Sequence, residues 1–169
     1  MRIVLLGDSH LARIQRELPR IGEVVVNSAA GGATVLDLEA QADRTALSGS
    51  DTVIVSVGTN DAASWNHVPR GDFRLALGRF VRSYPAGTWV IMTPPGVDES
   101  RLVAGGRTNA AVADYRAAAT SVAGSHAKRL LDTTSLLAPR GPGAFARDGL
   151  HLSGAAYRLL LPALATVGM

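Results

Sequence analysis

The chain has 169 residues, 47% of them hydrophobic and 18% charged, which excludes a disordered chain and fits one domain spanning residues 1–169. It contains no cysteine, which excludes disulfide scaffolds, thiol catalysis and zinc sites with cysteine ligands. The net charge of +3 comes from scattered arginines and only 5% of the residues are aromatic, so we expect a solvated arginine-rich surface and no nucleic-acid partner, with attraction of anionic substrates left open.

The apolar run at the amino terminus is short. Arg2 is followed by four apolar residues, 3–6, and Gly7 and Asp8 then end the run. It is too short for a signal segment or a membrane span. We therefore expect a cytoplasmic protein with no membrane partner.

Apolar, β-branched runs alternate along the chain with segments of helical periodicity. The predicted strands cover residues 2–6, 23–27, 52–57, 88–92 and 128–132. The predicted helices cover residues 9–18, 34–47, 72–83, 108–123 and 153–167, with Pro162 expected to kink or shorten the last. Strands that are apolar throughout are typical of a parallel sheet covered on both faces. We predict an α/β fold, a flavodoxin-like doubly wound three-layer sandwich with a five-stranded parallel sheet of order 2-1-3-4-5.

Two stretches rich in Gly and Pro, residues 94–107 and 134–148, are predicted to be irregular. Both are long for the loops of a compact domain. Both should leave the carboxyl ends of strands, where ligands bind in such sheets, so we expect functional loops.

Gly7-Asp8-Ser9 joins the first predicted strand to the first predicted helix. A serine hydroxyl at this point faces the crevice at the sheet edge, and its backbone N–H belongs to a helix start, where negative charge is stabilised. Taken alone, such a segment is more often a simple helix cap.

Two further segments follow the second and third predicted strands. In residues 27–34, Gly31 and Gly32 allow close backbone approach, so that a free N–H can face an oxyanion. In Gly58-Thr59-Asn60-Asp61, the Asn60 amide is a neutral donor that can stabilise a developing alkoxide. Taken alone, the glycines are more often part of a simple turn and the asparagine of an Asx turn.

His151 follows Asp148 by three residues, on a turn before the last predicted helix. This spacing lets the carboxylate reach Nδ1 of the imidazole and leaves the other ring nitrogen to accept a proton from Ser9. The other three histidines are assigned no catalytic role, and His10 is expected to line a pocket or to pack. All four segments are predicted at one edge of one sheet, where they supply a nucleophile, oxyanion donors, a base and a residue that orients the base, as a serine hydrolase requires.

In this order the four segments resemble the motifs of the SGNH hydrolases, also called the GDSL esterase/lipase family. Gly7-Asp8-Ser9 is similar to the first block, residues 27–34 to the second, residues 58–61 to the third, and Asp148-x-x-His151 to the last. The resemblance implies that Ser9 is the nucleophile, His151 the general base and Asp148 its orienting partner. It also implies an oxyanion hole formed by the Ser9 N–H, the Gly32 N–H and the Asn60 side chain. The implied acyl-enzyme mechanism needs no metal and no cofactor.

The sequence departs from the family pattern around these motifs. His10 stands where the family commonly has an apolar or small residue, and with Asp61 and Pro95 it is assigned to a candidate substrate pocket. The second block is so rich in Ala and Gly that Gly31 competes with Gly32 as the donor. The chain is short for the family and offers no cap domain, so an open site suited to small acyl groups or to a large acyl-bearing partner is expected.

The leading interpretation is a carboxylester hydrolase acting on short acyl esters of sugars or small metabolites. An acyltransferase that passes the acyl group to another acceptor or carrier stays open, because the sequence does not show whether water or another acceptor reaches the acyl-enzyme. A non-catalytic binding module of the same fold would not need all four segments. A flavin or nucleotide binder is disfavoured because residues 7–11 lack the glycine spacings of phosphate-binding loops.

Overall fold

The computed structural model describes residues 1–102, 106–126 and 128–168. Its strands are β1 (Ile3–Gly7), β2 (Val25–Asn27), β3 (Thr52–Ser56), β4 (Thr88–Met92) and β5 (Arg129–Leu131). They form one sheet of order β2-β1-β3-β4-β5 in which every neighbouring pair is parallel. The predicted strand order and parallel sheet are confirmed.

Helices cover both faces of this sheet. They are α1 (Ser9–Ala12), α2 (Leu38–Thr45), α3 (Arg70–Ser83), α4 (Asn109–Ser125), α5 (Thr133–Leu137) and α6 (Gly154–Gly168). Three 3₁₀ helices, Leu18–Arg20, Val35–Asp37 and Ala138–Ala144, lie between them. No helix of the described residues has both the length and the apolar character needed to span a bilayer.

Alternate side chains of the central strands enter two separate cores. Val4 and Leu6 of β1 pack in the core that contains the apolar residues of α2, α3 and α4. Ile3 and Leu5 pack on the other side, with the apolar residues of α1, α5 and α6. The residues of β1 and β3 are buried along their whole length, which explains why their sequences are apolar rather than alternating.

The first predicted helix is wrong in length. The α-helix ends at Ala12 instead of residue 18, and the chain continues through turns whose hydrogen bonds run from Ile14 N to Leu11 O (3.2 Å) and from Glu17 N to Ile14 O (2.8 Å). Leu11 and Ile14 are both buried, so tight turns bury the same apolar side that a longer helix would have buried. Tertiary packing here overrides local helical preference.

The second predicted irregular stretch is largely helical. Residues 134–144 belong to α5 and the following 3₁₀ helix, because Asp132 caps α5 by accepting hydrogen bonds from the N–H groups of Thr134 (3.0 Å) and Ser135 (3.3 Å). Of the two effects expected of Pro162, a kink or a shortening of α6, the shortening is wrong, since the helix continues to Gly168 with Leu164 fully buried; the kink stays a prediction.

Candidate active site

β1 brings Ser9 to the carboxyl edge of the sheet through a turn that requires glycine. Gly7 has a φ of +124°, and a Cβ at this position would lie 1.9 Å from the carbonyl oxygen of Ser56 in neighbouring β3. Gln41 of α2 holds the same peptide from the side, donating from Nε2 to Gly7 O (2.9 Å) and accepting from Gly7 N at Oε1 (2.6 Å). The position of Ser9, which follows this turn, is therefore determined by contacts with β3 and α2.

The hydroxyl of Ser9 is not used as a helix cap. Asp8 caps α1 by accepting a hydrogen bond from His10 N (3.0 Å). Within the described residues, neither Oγ nor the backbone N–H of Ser9 has a hydrogen-bond partner. Both groups of this nearly buried residue are thus left for a ligand.

His10 lies beneath the Ser9 turn. Its side chain is 1% exposed, and Nδ1 is 3.1 Å from Asp8 Oδ1, which also accepts from Ser56 Oγ (3.2 Å). His10 Nε2 and Asp8 Oδ2 are buried without a partner among the described residues. The contacts of Asp8 with His10 and Ser56 stabilise the turn that carries Ser9.

The loop after β2 presents free backbone N–H groups beside this turn. Ala30 N donates to Gly7 O (2.9 Å), which ties the loop to the end of β1. In the part of the chain that is described, the N–H groups of Gly31 and Gly32 have no partner. Gly32 is exposed and has a φ of +81°, a conformation that favours glycine.

Asn60 is almost completely buried in the loop after β3. Its Nδ2 donates to Ala33 O (2.9 Å), and its Oδ1 accepts from Nη2 of Arg107 (2.7 Å). One of the two Nδ2–H groups is used by Ala33, so the second is left for a ligand. The bond to Ala33 also joins the loop after β2 to the loop after β3.

Asp61 has a structural position. Its carboxylate accepts hydrogen bonds from the N–H groups of Val35 (2.9 Å) and Gly58 (2.8 Å), and the residue is fully buried. Burial raises the pKa of Asp61 to about 6, against the opposing effect of these hydrogen bonds. His10, Asp61 and Pro95, the three residues assigned to the pocket from the sequence, are all buried.

Asp148 and His151 form a hydrogen-bonded pair. Asp148 Oδ2 lies 2.6 Å from His151 Nδ1, while Oδ1 accepts from the N–H groups of Leu150 (3.0 Å) and His151 (2.9 Å). Partial burial acts to raise the pKa of Asp148, but the hydrogen bonds from His151 and Leu150 outweigh it, so this pKa lies well below its usual range. In the described residues His151 Nε2 has no partner and remains able to accept a proton.

Two hydrogen bonds join the turn of residues 148–151 and the helix that follows it, α6, to the rest of the site. Tyr157 of α6 donates from its hydroxyl to His10 O (3.0 Å), and Asp98 N after β4 donates to Gly149 O (2.7 Å). The structure shows no hydrogen bond between Ser9 Oγ and His151 Nε2, so the hydroxyl and the ring nitrogen both lack a partner among the described residues. A carbonyl compound could be attacked at this edge with donors available for its oxygen.

A groove of about 420 Å³ lies between residues 97–100 of the loop after β4 and residues 141–145, which precede the turn that carries His151. Its lining includes Asp98, Glu99 and Phe145, and Phe145 is bridged to Leu152, the residue after His151. Among the described residues, no cluster of three or more His, Asp or Glu side chains is arranged to hold a metal ion.

Two residues that hydrogen-bond the loops of the site, Gln41 and Arg107, were not predicted from the sequence. Gln41 lies on the buried stripe of α2 with Leu38, Ala42 and Thr45, and a polar residue at that spacing was a usable signal. Arg107 contacts residues 59 and 60 from a distant loop, and no local pattern marks it.

Comparison with solved structures shows the same fold. A lipase/acylhydrolase from Enterococcus faecalis aligns with a TM-score of 0.80 at 22% identity, covering 98% of this chain and 94% of that one. Axe2, an acetylxylan esterase from Geobacillus stearothermophilus, aligns with a TM-score of 0.74 at 20% identity, covering 99% and 94%. LAE5, an alpha/beta hydrolase enzyme from the metagenome of Lake Arreo in Spain, gives 0.74 at 22% identity, with 99% and 94% covered.

No curated protein sequence matches this chain. The sequence model of the GDSL-like lipase/acylhydrolase family, in contrast, matches residues 6–159 and so includes all four motifs. The expected family is confirmed: the chain belongs to the GDSL-like lipase/acylhydrolase family, a family of hydrolases.

Proposed function

We propose that this protein is a serine carboxylester hydrolase that cleaves short acyl esters through an acyl-enzyme. The observation that carries the proposal is the Asp148–His151 pair with its free Nε2, on a turn that is hydrogen-bonded to the loop after β4 from Asp98 N to Gly149 O (2.7 Å). A carboxylate on Nδ1 selects the tautomer in which Nε2 is a base.

In the acylation step, Ser9 Oγ attacks the ester carbonyl carbon and His151 Nε2 takes the hydroxyl proton. The carbonyl oxygen becomes an oxyanion, for which the Ser9 N–H, the Gly32 N–H and the free Asn60 Nδ2–H are the proposed donors. Collapse of the tetrahedral intermediate breaks the bond to the alcohol, which leaves with the proton from His151. Asp148 remains ionised throughout and stabilises the imidazolium.

In the second step, water attacks the acyl-enzyme while His151 Nε2 takes one of its protons. Collapse releases the carboxylic acid, and the proton on His151 returns to Ser9 Oγ. The same donors serve both intermediates, because the oxyanion forms on the same carbonyl oxygen.

For the substrate, we propose an acetyl or similarly short acyl group carried by a sugar or a small metabolite. The groove near the turn that carries His151 combines the polar residues Asp98, Glu99 and Ser100 with apolar Val97, Pro142 and Phe145, so it offers both polar and apolar contacts to the alcohol part. The similarity in fold to acetylxylan esterases of Geobacillus stearothermophilus agrees with this substrate class.

The test is hydrolysis of p-nitrophenyl acetate, butyrate and octanoate by the wild type, Ser9→Ala and His151→Ala, with the fold checked by circular dichroism. We expect activity on acetate and butyrate that both folded variants lose. Labelling by a fluorophosphonate without appreciable hydrolysis would instead mean that the acyl group goes to another acceptor, as in an acyltransferase. A wild type that neither labels nor hydrolyses would refute the catalytic assignment and favour a binding module.

A further inference from the structure

Arg107 makes two hydrogen bonds to the loop that carries Asn60. Its Nε donates to the carbonyl oxygen of Thr59 (2.7 Å), and its Nη2 donates to Oδ1 of Asn60 (2.7 Å). The next residue, Thr108, caps α4 by accepting from Ala111 N (3.1 Å), which holds the backbone beside Arg107 in place. One planar guanidinium thus binds two consecutive residues of the loop.

The partners of Asn60 determine which way its amide faces. An arginine can only donate hydrogen bonds, so the atom of Asn60 that faces Arg107 must be Oδ1. The carbonyl oxygen of Ala33 can only accept, so the atom that faces it must be Nδ2. The alternative orientation would set two donors against each other at Arg107 and two acceptors against each other at Ala33.

The charge of Arg107 is not neutralised by an ion pair within the described residues. Burial lowers the pKa of Arg107, while attraction to the Asp8 carboxylate acts to raise it. The exposed ring of Trp65, in the same loop as Asn60, stacks on the guanidinium at 5.0 Å from ring centroid to Cζ. Arg107 is thus a half-buried cation that has no carboxylate partner and is bonded to Asn60, one of the proposed oxyanion donors. Stabilising a surface loop would not require such an arrangement.

We propose that Arg107 is a positioning residue of the oxyanion hole, which holds the Asn60 amide so that its second Nδ2–H is presented to the oxyanion. The positive charge at Oδ1 also polarises the amide and makes its N–H a stronger donor when negative charge develops. This inference rests on the proposed function, because it assigns the role of Arg107 through Asn60.

The experiment compares kcat and KM for p-nitrophenyl acetate in Arg107→Ala, Arg107→Lys and a matched control, Arg2→Ala. Arg2 is also partly buried and donates to backbone carbonyls, those of Thr45 (3.3 Å) and Ala46 (3.0 Å). Unlike Arg107 it is paired with a buried carboxylate, that of Asp51 (2.5 Å), and it precedes β1 at the opposite edge of the sheet. Its removal should lower the thermal midpoint and leave kcat unchanged.

We expect Arg107→Ala to lower kcat by about 10- to 100-fold with little change in KM, less than the 10²–10³ typical of losing a donor itself. Arg107→Lys should lose most of the same activity, because an ammonium group cannot bind both oxygens as a planar fork does. Added guanidinium at a non-denaturing concentration should partly restore Arg107→Ala, whereas sodium chloride should not. In an Asn60→Ala background, Arg107→Ala should have little further effect.

An Arg107→Ala enzyme with the kcat of Arg2→Ala, or with losses that simply add to those of Asn60→Ala, would overturn the inference while leaving the proposed function in place. Should Arg107→Ala fail to fold, Arg107→Lys decides, and full activity of that variant counts against the inference. A wild type that neither hydrolyses the ester nor reacts with a fluorophosphonate would refute the proposed function and this inference together.

Discussion

Replacing Asp148 by asparagine tests the catalytic pair most directly, because the structure determines how the new side chain must lie. Asp148 Oδ1 already accepts from two backbone N–H groups, those of Leu150 and His151. In Asp148→Asn this position must still be an oxygen, so the new NH₂ group takes the place of Oδ2 and faces His151 Nδ1. Nδ1 then has to accept, the ring proton moves to Nε2, and His151 can no longer take a proton from Ser9.

The expected loss is large and selective. A serine hydrolase with the wrong histidine tautomer loses about 10⁴ in kcat, which corresponds to about 5.5 kcal/mol in the activation barrier. The free energy of unfolding should change little, since both backbone hydrogen bonds to Oδ1 are kept. Asp148→Ala removes the acceptor for both N–H groups and should be less stable by about 0.5–1.5 kcal/mol per lost bond. It lets His151 choose either tautomer, however, so it should be no less active than Asp148→Asn.

The assay is the initial rate of p-nitrophenyl acetate hydrolysis beside urea denaturation of the same samples. The two variants should rank differently in activity and in stability: Asp148→Asn keeps the fold and loses turnover, and Asp148→Ala loses more of the free energy of unfolding. If Asp148→Asn retained activity within about tenfold of wild type, a range far smaller than the tautomer effect, the assigned role of Asp148 would be refuted.

Three further predictions concern residues around Ser9. Asn60→Ala should lower kcat by about 10²–10³ and the free energy of unfolding by only about 1–3 kcal/mol, and equal losses of turnover in a remote control variant would contradict this. Gly7→Ala should not fold, because its Cβ would meet Ser56 O at 1.9 Å in a backbone conformation of φ +124°; soluble protein with a wild-type circular dichroism spectrum would disprove it. Burial raises the pKa of Asp61 from 3.8 to about 6. Between these pH values the folded chain keeps a proton that the unfolded chain has lost, so the free energy of unfolding falls as the pH rises. At about 1.36 kcal/mol per pKa unit the total loss is about 3 kcal/mol. The free energy of unfolding, measured by denaturation from pH 4 to pH 7, should fall with pH in the wild type and not in Asp61→Asn. The same pH dependence in both proteins would contradict the assignment to Asp61.

The central strands and the four motifs could be predicted because each is encoded locally. β1 and β3 are buried on both faces, so each contains an unbroken apolar run, residues 3–6 and 53–55, which marks the strand without reference to the rest of the chain. In a parallel sheet the carboxyl ends of the strands share one edge, which is why Ser9 and Asn60 could be assigned to the same edge from sequence order alone.

The errors occurred where a contact from a distant element decides the local conformation. The segment after Ala12 has helical spacing at Leu11 and Ile14, but packing against the core selects turns with i→i+3 hydrogen bonds. Asp132 ends the fifth predicted strand, but in the structure its carboxylate accepts hydrogen bonds from the first N–H groups of α5 and so starts a helix in the stretch predicted to be irregular. The buried positions of His10 and Asp61 likewise depend on Asp8 and on the N–H groups of Val35 and Gly58.

The sequence by itself determined the parallel α/β sheet, and it predicted the edge of the sheet at which the proposed nucleophile, base and orienting carboxylate lie. These follow from periodicity and from residue types at short spacing, both of which are local properties of the chain. Only the tertiary structure decided that Gln41 holds the Gly7 peptide, that Asp61 joins two loops, and that Arg107 donates a hydrogen bond to the Asn60 side chain. Each of these contacts joins residues 26 to 47 positions apart, and a hydrogen bond at such a separation leaves no trace in local sequence patterns.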